Sequence, residues 1–167
     1  MRLPIVAGPS VSPDAPAVVG DRIAASVPTA AIVPIDEGAA LAFASLVLEE
    51  LASVGAAATV VVESTSPNAT ALPTALVVHG ATWRRITASD TRALVETFES
   101  GGPVLLIGTG LAGVVDASFV VAISGGRVSP MISPSFRDLR PRIDATIADP
   151  RPEFARWLAH RLVGRHP

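Results

Sequence analysis

The 167-residue sequence contains no cysteine, no lysine, no tyrosine and no glutamine. Without cysteine there can be no disulfide, no thiolate metal site and no thiol nucleophile. Without lysine there can be no Schiff base, no phosphate-gripping P-loop lysine and no lysine-assisted oxyanion site. All 13 basic side chains are therefore arginines. Aromatic residues are also scarce, at 4%, although 49% of the chain is hydrophobic. Alanine and valine dominate that apolar content, which implies closely packed strands and helices and not a disordered chain. A single domain, spanning residues 1–167, suits this length, since a chain of this size buries roughly two-thirds of its unfolded surface.

The formal net charge is −2, but the charges are unevenly placed. Residues 1–63 carry seven acids and two arginines, and residues 127–167 carry eight arginines and four acids. The basic end suits an acidic partner, or equally the chain's own acidic half. With a pI near 5.9 and no aromatic interleaving, nucleic acid is not an expected partner. Arg2 is followed by the breakers Pro4 and Gly8, so the start does not read as a secretory signal. Pro103–Ser124 is long and apolar, yet Asp116 and Gly108, Gly110 and Gly113 interrupt it. It reads as strand, turn and buried helix and not as a membrane span. A cytoplasmic location is expected.

Along the chain, Leu3–Ala7, Ala30–Ile35, Thr59–Glu63, Ala75–His79, Val104–Ile107 and Arg127–Ile132 read as strands. A helix over Pro16–Ser26 is weakened by Gly20. The segment Glu37–Val54 fits either one long buried helix or a strand through Phe43 followed by a helix capped by Ser45. Thr87 and Asp90 have the spacing of a capping box, with Leu94, Val95 and Phe98 on one helical face. From Leu111, the apolar residues Val114, Val115, Phe119 and Ile123 keep helical spacing. Asp149 and Pro152 open a last helix whose apolar face is Phe154, Trp157, Leu158 and Leu162.

Three groups of residues bear on chemistry. Gly108-Thr109-Gly110-Leu111-Ala112-Gly113 follows a strand and matches the GxGxxG dinucleotide fingerprint, in which glycines let a pyrophosphate approach a helix start. The acid expected about 20 residues later is missing, so the match is isolated. It leaves Gly108, Gly110 and Gly113, with Glu63, as candidate ligand-binding residues. His79 closes a strand reading, where α/β folds place their chemistry, Glu63 closes another, and Asp36 and Glu37 follow a third. A histidine among carboxylates can act in acid–base chemistry or hold a metal. The plainer reading, a structural hydrogen-bonding histidine, is preferred, and neither a metal nor another cofactor is expected. Arg137, Arg140 and Arg142, with Arg151, Arg156, Arg161 and Arg165 beyond, can hold carboxylates or phosphates bidentately, or simply form a solvated face.

Read together, these pieces resemble the β-ketoacyl synthases of fatty-acid and polyketide assembly. That family has a strand ending in HGTxT, then an acid and an Ala-Leu helix; here His79-Gly80-Ala81-Thr82-Trp83 is followed by Asp90 and Ala93-Leu94. Its KGxxGH motif falls on Thr109-Gly110-Leu111-Ala112-Gly113-Val114, and its EGAxA strand on Glu37-Gly38-Ala39-Ala40-Leu41. Ile5-Val6-Ala7-Gly8 with Ser12-Pro13 is similar to its opening strand, and the resemblance runs to about residue 132.

The resemblance implies a thiolase-like layered α/β fold, reduced to one small domain. The departures matter more. The condensing family uses a cysteine nucleophile, two histidines and a lysine; here the cysteine is absent, Thr109 stands at the lysine position and Val114 at the second histidine. Only His79 remains, as a vestige, in a motif altered at Ala81 and Trp83. Loss of such groups removes the condensation chemistry. The expectation is a catalytically silent, ketosynthase-like subunit, comparable to the chain-length-factor partners that dimerise with an active ketosynthase. Arg137, Arg140 and Arg142 are then candidates for docking an acidic acyl carrier protein. The alternatives are repurposed acyl-thioester chemistry using His79, Glu63, Ser64 and Ser66, or small-molecule binding at the glycine turn.

Overall fold

Four apolar runs, Thr29–Pro34, Thr59–Glu63, Val104–Ile107 and Phe119–Ile123, are buried along nearly their whole length. A strand must be covered on both faces to tolerate such composition, which is the situation of a parallel sheet flanked by helices. The computed structural model describes residues 22–64, 81–125 and 142–164 and has this architecture. Its strands are β1 (Ile23–Ala24), β2 (Thr29–Pro34), β3 (Thr59–Glu63), β4 (Thr82–Ile86), β5 (Val104–Ile107), β6 (Val115–Asp116), β7 (Phe119–Ile123) and β8 (Ala145–Ile147). Its helices are α1 (Glu37–Ser53), α2 (Thr91–Glu99), α3 (Thr109–Val114) and α4 (Pro152–Leu162).

Six strands form one sheet in the order β4-β3-β5-β2-β7-β8, and every pairing is parallel. β1 and β6 form a separate parallel pair. The path from β2 to β3 runs in one direction across the sheet, and the paths from β4 to β5 and from β5 to β7 run in the other. Crossovers of a single hand must then put α1 on one face and α2 and α3 on the opposite face. The packing agrees. Ala30, Ile32, Val60, Val62, Leu105 and Ile107 pack with α1 and α4. Ala31, Val33, Val61, Val104 and Leu106 pack with Leu94 and Phe98 of α2 and Leu111 and Ala112 of α3. This is an α/β fold of three layers.

The segment left open between Glu37 and Val54 is one helix. Asp36 caps it by accepting from the Ala39 N–H at 2.9 Å, and Phe43, Val47, Leu48 and Leu51 are buried beneath it. Glu37–Leu41, which the family resemblance aligns with a strand, is therefore the first turn of α1. α2 starts later than the Thr87 cap suggests, because Asp90 is its N-cap and accepts from Ala93 at 3.1 Å. Its inward face is Leu94, Thr97 and Phe98; Val95 points out and is 39% exposed.

The expected helix from Leu111 through Ile123 stops at Val114, and Phe119–Ile123 is a central strand. A short apolar run satisfies helical and buried-strand patterns alike, and the β-branched Val120, Val121 and Ile123 favour the strand. In α4, Leu158 and Leu162 are buried as expected, with Ala155 and Ala159 beside them, while Phe154 is 44% exposed. Trp157 is half-buried, edge-on to Phe119, and Arg161 lies over both rings. Ile23–Ala24, within the weak Pro16–Ser26 helix reading, is strand β1. The strand readings Leu3–Ala7, Ala75–His79 and Arg127–Ile132 lie outside the described residues. Among the described residues no helix is long and apolar enough to cross a membrane.

Replacing Phe43, fully buried on the inner face of α1, with alanine is expected to cost about 3–5 kcal/mol. Val95→Ala should change stability by about 0.5 kcal/mol or less. Urea titration of the two variants measures both.

Candidate functional site at the carboxyl edge of the sheet

In open parallel sheets, ligands favour the crevice where neighbouring strands send their helices to opposite faces. Here that place lies between β2, which leads into α1, and β5, which leads into α3. The carboxyl ends of β3 and β7 flank it and bring Glu63, Ser64, Ser124 and Gly125 to the same edge. Sequence-predicted residues from distant segments therefore do meet: Glu63 lies against the Gly108–Gly110 turn, 45 or more positions away.

The contact is intimate. The Leu111 N–H donates to Glu63 Oε1 at 3.1 Å, so the glutamate supplies the cap that Gly108, the N-cap residue, cannot. A methyl group on Gly110 would stand 2.6 Å from Glu63 Oε2, and one on Gly108 would strike the Glu63 side chain from Cβ outward. Gly108 also has φ of +152°, which side-chain-bearing residues seldom adopt. The glycines of the fingerprint thus admit an anion to the start of α3, as its physics requires. The anion is the chain's own carboxylate.

A second acid repeats the arrangement. Asp36 caps α1, and its backbone N–H donates to Ile123 O at 3.0 Å. A Cβ on Gly125, which has φ of +62°, would meet Asp36 Cβ at 2.8 Å. Beside Glu63, Ser64 Oγ and Thr87 Oγ1 share a hydrogen bond of 3.0 Å across the ends of β3 and β4. Asp36, Glu37 and Glu63 are all engaged, and among the described residues no cluster of three His, Asp or Glu side chains could hold a metal.

Thr109 and Val114 open and close α3; both are half-buried, and Val114 packs on the sheet face shared with α2. Gly113 receives a hydrogen bond on its carbonyl from Arg22 Nε at 3.2 Å. Arg142 is turned onto the chain itself, with Nη2 2.8 Å from Asp116 Oδ1 and Nη1 3.5 Å from Val115 O. Arg156 pairs with Glu50 at 3.1 Å, joining α4 to α1. The basic end thus does meet acids of the chain's own earlier segments. His79, Ser66, Arg137 and Arg140 lie outside the described residues. What sequence reading missed is the capping role of Glu63. A lone glutamate at a strand end and a GxG turn 45 residues on carry no local sign that they touch.

No family model matches this chain, and no characterised protein or solved structure matches it either.

Gly108→Ala is expected to destabilise the fold by about 1–3 kcal/mol, because strain and collision add. Gly110→Ala should cost about 1 kcal/mol, the value of the Leu111–Glu63 hydrogen bond once the flexible carboxylate is pushed aside. In a Glu63→Ala background the cost at Gly110 should vanish and the backbone strain at Gly108 should persist. Thermal or urea unfolding of the double-mutant cycle reads this difference.

Proposed function

We propose that this chain is a non-catalytic subunit that works by association, and that its partner is an active β-ketoacyl synthase. The observation that carries the non-catalytic part is the Glu63 carboxylate lodged on the Gly108–Gly110 turn. A catalytic edge needs polar groups held open toward a substrate. Here the two acids nearest the crevice cap helices and fill the space above glycines. The ends of α3 add nothing that could stabilise a developing oxyanion as a lysine and a histidine would, since they are Thr109 and Val114. No thiol exists anywhere in the chain to accept an acyl group.

The choice of partner rests on the order of the family-like segments, from Glu37-Gly38-Ala39 through Asp90 to Gly110–Val114. Contact with an acyl carrier protein extends the same reading to the basic end. The candidates for that contact are Arg137, Arg140 and Arg142, the last of which also bonds to Asp116.

Co-expression with the ketosynthases of its own host tests the reading. Co-elution in size-exclusion chromatography with a change in acyl product length is the expected outcome. A chain that elutes alone and leaves product length unchanged would remove the proposal.

A further inference from the structure

The β1–β6 pair brings two arginines together around one acid, away from the carboxyl-edge crevice. Arg22 precedes β1, and its Nε is anchored on the carbonyl of Gly113 at 3.2 Å. Arg142 reaches the same turn from the other side of the sequence, onto the carbonyl of Val115 and the carboxylate of Asp116. The two guanidinium groups thus attach to backbone carbonyls only two residues apart, at the end of α3. Asp116 is 65% exposed and the Arg142 side chain 22%, so the cluster opens to solvent on the side of the acid.

We propose that Arg22 and Arg142 together form a binding site for a phosphate group. A guanidinium carries five N–H donors in a fixed fork. Arg22 uses one of them, and its two Nη groups make no hydrogen bond among the described residues; Nε of Arg142 likewise makes none. Among the described residues, Asp116 bonds to Arg142 and acts on Arg22 through its charge, so two cations face one carboxylate. Burial, the charge of Arg142 and, in the opposite sense, Asp116 act on Arg22 in that order, and the net effect lowers its pKa. A carboxylate matches one fork with two coplanar oxygens, whereas two forks anchored at separate carbonyls call for the three oxygens of a tetrahedral anion.

The competing account is that both arginines merely cap the last carbonyls of α3, where cations are welcome. The two accounts differ at Asp116. As a structural partner, it should help hold any arrangement that binds. As an internal competitor for Arg142, it should oppose the ligand.

Calorimetric titration of the full chain with inorganic phosphate, at low ionic strength, decides between them. Binding is expected to weaken roughly tenfold or more in Arg22→Gln, since a charge-assisted hydrogen bond is lost, and to tighten in Asp116→Asn. Acetate, run in parallel, should bind more weakly than phosphate. Equal phosphate binding by wild type and Arg22→Gln, weaker binding by Asp116→Asn, acetate as good as phosphate, or no binding to either folded protein would each overturn the proposal. Circular dichroism confirms folding. If Arg22→Gln does not fold, Arg22→Lys keeps the charge and removes the fork, and should still bind phosphate more weakly than wild type.

Discussion

A parallel sheet sends the helix after each strand away from the same edge, so positive helix ends and unpaired N–H groups accumulate there. The rest of this structure depends on how that edge is satisfied. Asp36 accepts from Ala39 at the start of α1, Asp90 from Ala93 at α2, and Glu63 from Leu111 at α3. Two of these caps are local, three residues from the N–H they satisfy. The third comes from a neighbouring strand 48 positions earlier, and only because Gly108 and Gly110 leave room for it. Such a cap does more than close a helix. It fixes where α3 begins relative to β3, and so how the β5–α3 turn sits on the sheet.

That arrangement also separates two meanings of a glycine-rich turn. The spacing Gly108, Gly110, Gly113 signals close approach to a helix start by something negatively charged, and it does so correctly. It does not say whether the anion is a ligand or a side chain. Sequence periodicity cannot decide, because β3 and β5 are distant in the chain and adjacent in the sheet. Pairing register alone puts Val62 opposite Ile107, and with it Glu63 beside Gly108.

The same distinction between local and non-local information governs what was legible elsewhere. β2, β3 and β5 stand out as short β-branched or leucine-rich runs bounded by breakers, and α2 and α4 are marked by a cap and a proline at their starts. β4 was hidden because Thr82–Ile86 contains two arginines. Its place at the end of the sheet order lets Arg84 reach Ala93 O and Thr97 Oγ1 on α2 instead of water. β8 is three residues long and was too short to produce a pattern. β7 reads as helix in the sequence because its apolar residues also keep helical spacing from Leu111. Of the apolar face read for α4, Leu158 and Leu162 are buried and Trp157 packs against the core, whereas Phe154 is exposed and Ala155 and Ala159 are buried beside them.

The non-catalytic part of the proposed function draws on where polar groups are satisfied as well as on which residues are present. Asp36, Glu63, Ser64 and Thr87 cluster at the edge where α/β enzymes work, and by type alone they would make a plausible set of acids and hydroxyls. In the fold, Asp36 and Glu63 accept from helix N–H groups, and Ser64 and Thr87 share a hydrogen bond. Around Arg22 and Arg142 the balance among the described residues is reversed, with two cations, one acid and donors left over. Satisfied groups hold a fold together, and unsatisfied ones are what a fold can offer to another molecule. On that criterion, the proposed function draws on acids that serve the fold at the carboxyl edge, and the proposed phosphate site on donors left over at the end of α3.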